Sequence, residues 1–180
     1  MGNSAKIVLL VEDMQQHNFV YHWLLRRGFG IRDIRLVTVP AGSQAGEQHV
    51  RVQYPSQVKA IRQRAHRVDC QLVTAIDADT QPVEHRYRQL DEALTTTQQS
   101  PRSGSDRICI LVPKRNVESW IHQLVTGPAD ETTDYKPKTS EDCKSAARLL
   151  ADTPESADAG NAPPSLTRGR DELEKTFPRK

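Results

Sequence analysis

Unbroken apolar runs of strand length alternate along the chain with segments whose apolar residues recur at helical spacing. Lys6-Ile-Val-Leu-Leu-Val11 is continuous and rich in β-branched residues, the pattern of a parallel strand covered on both faces. Met14 to Arg27 follows with Phe19, Val20, Trp23 and Leu24 on one helical face. Asp13 suits the N-cap of that helix and Gly28 its stop. Ile34-Arg-Leu-Val-Thr-Val39 predicts a second strand, and Pro40 to Gly46 a glycine-bearing loop. Pro55 is expected to open a helix running to about Arg67. Cys70-Gln-Leu-Val-Thr-Ala-Ile76 predicts a third strand, ending in Asp77-Ala-Asp79. Pro82 opens another helix, with Val83, Tyr87, Leu90 and Leu94 at helical spacing. The polar stretch Thr95 to Asp106 is expected to be a surface loop, with mobility one option for it. Arg107-Ile-Cys-Ile-Leu-Val112 predicts a fourth strand, and Asn116 leads into a short helix carrying Glu118, Trp120, Ile121 and Leu124. Two further helices are expected, capped by Ser140 and Ser165, with a Pro/Ala/Gly/Asp-rich loop over Thr153 to Pro164.

Strands alternating with helices predict an α/β fold with a four-stranded or slightly larger, mostly parallel sheet flanked by helices. The 180 residues fit one core over 1–128, with a helical C-terminal extension over 129–180 packed on it. In such sheets functional groups gather beyond the carboxyl ends of the strands. Three of the four predicted strands end there in polar or charged residues: Glu12-Asp13, Asp77-Ala-Asp79 and Pro113-Lys-Arg.

Composition narrows this little. A formal net charge of +2 does not by itself imply a nucleic-acid partner. Its distribution says more, because Arg51 to Arg67 holds Lys59, Arg62, Arg64 and His66 without an acid. Lys59, Arg62 and Arg115 are the candidate phosphate contacts, against the plainer reading that they line solvated faces. Cys70, Cys109 and Cys143 are widely spaced and read as small buried thiols of a reducing compartment. The start is too short and too soon acidic for a signal peptide, and no apolar run approaches the ~20 residues of a membrane span. A cytoplasmic protein is expected.

The acids at the strand ends carry the chemistry. Alternate residues of an extended segment point the same way, so Asp77 and Asp79 are expected to face one point. Two such carboxylates repel unless a proton or cation joins them, and Glu12 adds to that cost. Mg²⁺ or Mn²⁺ would answer it, since such ions take oxygen ligands and need only one or two protein carboxylates. Glu118 is a candidate further ligand, and His122 shares its helical face. Lys114 is a candidate to contact phosphate or neutralise charge developing on it, against the plainer reading of an ordinary loop lysine. The alternative is structural, with Asp77 and Asp79 capping the next helix while Glu12 faces solvent. Gly42-Ser-Gln-Ala-Gly46 lacks the Gly-Lys-Ser/Thr ending of a nucleotide-binding loop.

Val11-Glu12 after the first strand and Asp77-Ala-Asp79 after a later one resemble the acidic pattern of the TOPRIM domain of topoisomerases, primases and OLD-type nucleases. The likeness extends to small bacterial TOPRIM-like proteins linked to phage defence. It includes the Gly-Ser-x-x-Gly loop with Val50 and Tyr54-Pro55, Pro113-Lys-Arg-Asn-Val-Glu-Ser-Trp120, and Pro163-Pro-Ser-Leu-Thr-Arg-Gly-Arg-Asp-Glu-Leu173. Asp13 departs from it, standing where that family has a small Gly. The resemblance implies a Mg²⁺-dependent nuclease acting on DNA or RNA, with Glu12 as general base or ligand and Asp77 and Asp79 holding the ion. The alternative is a non-catalytic module that binds a larger partner, such as an ATPase or another defence protein. Ile7-Val-Leu-Leu-Val-Glu-Asp13 also resembles the opening of a response-regulator receiver, which would make Asp77 a phosphoacceptor and Lys114 its partner. Asp77 comes late for that family, and too little chain separates it from Lys114.

Overall fold

The structure is a computed structural model that describes residues 6–38, 46–153 and 161–179. The expected glycine-bearing loop before Gly46, and most of the loop after Thr153, lie outside the described residues.

Four parallel strands form one sheet: β1 (Ile7–Val11), β2 (Ile34–Leu36), β3 (Gln71–Ala75) and β4 (Ile108–Leu111). Their spatial order is β2-β1-β3-β4. All five residues of β1 are buried, as its unbroken apolar run requires. Alternation splits the strands between two cores. Ile7, Leu9, Val11, Val73, Ala75, Cys109 and Leu111 face one side. Val8, Leu10, Leu72, Ile76, Ile108 and Ile110 face the other.

Helices cover both faces. On the first lie α1 (Met14–Arg26), α4 (Val117–Val125), α5 (Ser140–Asp152) and α6 (Pro164–Thr176). On the second lie α2 (Gly46–Arg64) and α3 (Val83–Thr96). Asp13 caps α1, its side chain accepting from the Gln16 amide. Asn116 does the same for α4. Thr139, not Ser140, caps α5, in a reciprocal box with Asp142. Helix α6 starts at Pro164, so Ser165 is buried in its first turn, accepting from the Trp120 indole at 2.8 Å.

Helix α2 departs most from expectation. It begins at Gly46, and Pro55 lies inside it rather than at its start. Pro costs an interior helix turn about 3 kcal/mol in isolation. Here its ring is buried, in a helix that also buries Val50, Tyr54, Val58 and Ile61, and that packing offsets the lost hydrogen bond. The 100–106 loop is tied down rather than loose. Arg62 donates to the Ser100 and Pro101 carbonyls and pairs with Asp106 at 2.7 Å, while Arg102 pairs with Glu172 of α6.

Candidate functional site

The order β2-β1-β3-β4 has one point where successive connections leave in opposite directions, between β1 and β3. Open parallel sheets leave a crevice there beyond the carboxyl ends of the two strands. Glu12 follows β1 and Asp77 follows β3 by two residues, so the two carboxylates meet at that crevice.

Their contact is explicit. Glu12 Oε2 accepts the Asp77 amide at 3.0 Å. Gln16, buried in the first turn of α1, ties them further. Its Nε2 donates to Asp77 Oδ1 at 2.9 Å, and its Oε1 accepts the Glu12 amide at 2.9 Å. One oxygen of each carboxylate is thus fixed. The other, Glu12 Oε1 and Asp77 Oδ2, meets no donor among the described residues. Gly46 packs against the Glu12 carbonyl so closely that a Cβ there would collide with it, which is why glycine begins α2.

Burial dominates the electrostatics. Asp77 is only 6% exposed, and desolvation pushes its carboxyl well above the usual carboxylate range. The Glu12 charge raises it further, as do Asp13 and Glu118, while the Gln16 bond pulls it down. Glu12 is also raised, chiefly by burial, with the Asp77 amide opposing and Asp79 and Asp13 adding to the rise. Glu118, buried in the first turn of α4, is raised by burial and by Asp13 and Asp134. Glu12, Asp13, Asp77 and Glu118 therefore share one negative region, with Asp79 and Asp134 adding to it from its edges, and Asp13 belongs to it although its carboxylate also caps α1.

Asp79 does not join Asp77. It takes a left-handed backbone, φ 56°, which breaks the expected alternation, and it is half exposed. Its carboxylate turns to Arg86 Nη2 at 3.2 Å. Arg86 is buried in α3 and absent from the sequence reading. Its Nε donates to the Asp77 carbonyl at 2.8 Å, and its Nη1 reaches Glu47 and Gln89. Arg86 is therefore the clamp on the turn that presents Asp77. Nothing local marks an arginine in the first turn of α3 for that task.

The expected cations are placed elsewhere. Lys114 Nζ donates to the Gln81 carbonyl at 2.6 Å and faces a cavity of about 420 Å³ lined also by Glu84, Glu131, Ser165 and Arg168. It contacts neither Glu12 nor Asp77, which removes the lysine that a receiver-type phosphoacceptor needs. Lys59 is exposed on α2, and Arg62 is spent on the 100–106 loop. Both sit near the end of α2 that leads into β3, at the edge opposite the carboxylates. Arg115 is at the correct edge but bonds Asp134 at 3.0 Å.

His122 and Glu118 share a face of α4 as expected, but the ring belongs to another contact. His122 Nδ1 lies 3.2 Å from Lys138 Nζ, and its ring lies against Tyr135 with centroids 4.5 Å apart. Burial and the Lys138 charge hold its pKa below the ordinary value, so the ring accepts from lysine as a neutral imidazole.

Among the described residues no three His, Cys, Asp or Glu side chains converge as a ready-made metal cage. Of the four ligands expected from the sequence, Glu12 and Asp77 are in direct contact, Glu118 lies in the same negative region, and Asp79 turns to Arg86. An all-oxygen pair of mutually repelling, half-bonded carboxylates fits Mg²⁺ or Mn²⁺, which keep most of their waters. No family model, curated protein or solved structure matches the chain.

Proposed function

We propose that this chain is a metal-dependent phosphodiester-handling protein of TOPRIM-like type, a nuclease acting on DNA or RNA. The observation that supports this reading is the Glu12–Asp77 pair at the crevice where the sheet order reverses, with further acids around it. Burying Asp77 beside the half-buried Glu12 destabilises a fold, so the pair favours a ligand or reaction that uses it. Glu12 and Asp77 would hold the ion, which supplies Lewis acidity toward a phosphoryl oxygen and an acidified water. Gln16 and the Asp77 amide orient the two carboxylates so that one oxygen of each stays available. Arg86 fixes the main chain of the turn. Asp79 acts through Arg86 rather than on the substrate.

The test is incubation of the purified protein with labelled DNA and RNA, single- and double-stranded, in Mg²⁺ or Mn²⁺. Metal-dependent cleavage is expected, with a loss of at least a hundredfold in Asp77→Asn. Absence of cleavage on every substrate rejects the nuclease. A second reading, a non-catalytic module that binds a larger partner such as an ATPase, draws on the commitment of Asp79 to Arg86. Metal binding without cleavage would favour it.

A further inference from the structure

The segment between α4 and α5 carries no regular structure near its end, yet it is pinned at two points. Asp134 accepts from Arg115 at 3.0 Å and from Asn116 at 2.9 Å, both at the start of α4. Lys138 is held by its main chain: its amide donates to Gln15 Oε1 at 2.8 Å, and its carbonyl accepts from Gln15 Nε2 at 2.9 Å. Gln15 lies in the first turn of α1, three residues after Glu12. A reciprocal pair of this kind sets the backbone of Lys138 against the rim of the acidic crevice.

The side chain is arranged in an unusual way for a lysine among acids. Its charge is felt by Glu118 and by Asp142. Even so, it forms no ion pair with a carboxylate among the described residues. Asp134 and Asp142, each four residues away, have other partners: Asp134 has Arg115 and Asn116, and Asp142 has Thr139. The ammonium instead rests on the neutral His122 imidazole at 3.2 Å and over the Tyr135 ring at 5.8 Å. Those contacts hold it in place and leave its charge uncancelled.

From this geometry we infer that Lys138 is the cation that contacts a substrate phosphate at the site, in the role the sequence assigned to Lys114. The inference rests on the nuclease reading and names the substrate contact within it. Two of the ammonium protons stay available once His122 has accepted one. A polynucleotide phosphate arriving at the rim meets a fixed positive charge there. His122 and Tyr135 are positioning residues that hold this charge.

The test measures binding of short fluorescein-labelled single-stranded DNA, duplex DNA and single-stranded RNA in Ca²⁺ between about 50 and 200 mM salt. Wild type is compared with Lys138→Met and Lys138→Arg. Lys138→Met keeps the main-chain bonds to Gln15, so its thermal midpoint should match the parent. Its affinity should fall roughly three- to tenfold, and the slope of log affinity against log salt should decrease in magnitude by about one. Lys138→Arg should keep the slope. Wild-type binding with an unchanged slope in Lys138→Met overturns the role of Lys138 and leaves the nuclease reading standing. Failure of the wild type to bind any of the three overturns both.

Discussion

Burial sets the Asp77 carboxylate against the stability of the fold at neutral pH. Its carboxyl titrates higher in the folded chain than in the unfolded one, because burial and Glu12 disfavour its charge. The unfolded chain therefore gives up this proton more readily, and stability from this group is complete below an unfolded pKa of about 3.9 and is lost as pH rises toward the folded value. Asp77→Asn removes that loss. The variant is expected to melt higher than wild type at pH 7 to 8, with the difference closing as pH falls toward 4, measured by thermal denaturation across pH. Arg86 acts in the opposite direction. Arg86→Met leaves the Asp77 carbonyl without its donor and removes one of the two arginines on Glu47, and chemical denaturation should show a loss of about 1–3 kcal/mol. The sequence made Glu12 and Asp77 legible because each directly follows an apolar strand run. Asp79 misled, since strand alternation stops at its left-handed backbone. Arg86, Gln16 and Lys138 were not legible, because their partners lie 9, 61 and 123 residues away.

Helices α2 and α6 show what patterning conveys and where it fails. Strand positions were legible to within a few residues, since a buried parallel strand must be an unbroken apolar run. Pro55 was read as a start signal, yet it is interior, where tertiary burial overrides local propensity. In α6, Gly169 lies flush against the Trp120 ring, and a Cβ there would overlap it. Gly169→Ala would raise helix propensity in isolation, but here it must displace a buried indole anchored to Ser165. Urea unfolding should show a net loss of about 1–3 kcal/mol, the usual range for overpacking. A gain in stability would mean that the α4–α6 contact yields freely.

The three-layer arrangement explains why distant segments serve one site. Sheet order places β1 beside β3, so Glu12 and Asp77 meet across 65 residues of chain. Helices α5 and α6 bury Cys143, Ala146, Leu150, Leu166 and Leu173 in the same core as α1 and α4. The C-terminal third is thus built into the layer that flanks the crevice, and the segment before α5 brings Lys138 to its rim. The alternation of strands and helices gave the parallel α/β fold in advance. The reversal point followed only from strand order, which pattern alone does not specify. On the proposed function, Glu12 and Asp77 together hold a divalent ion. Calorimetric titration of Mn²⁺ into wild type, Glu12→Gln and Asp77→Asn tests it most directly. Saturable binding by the wild type is expected, with its loss in both variants while each remains folded. Equal binding by all three, or none by the wild type, would contradict it.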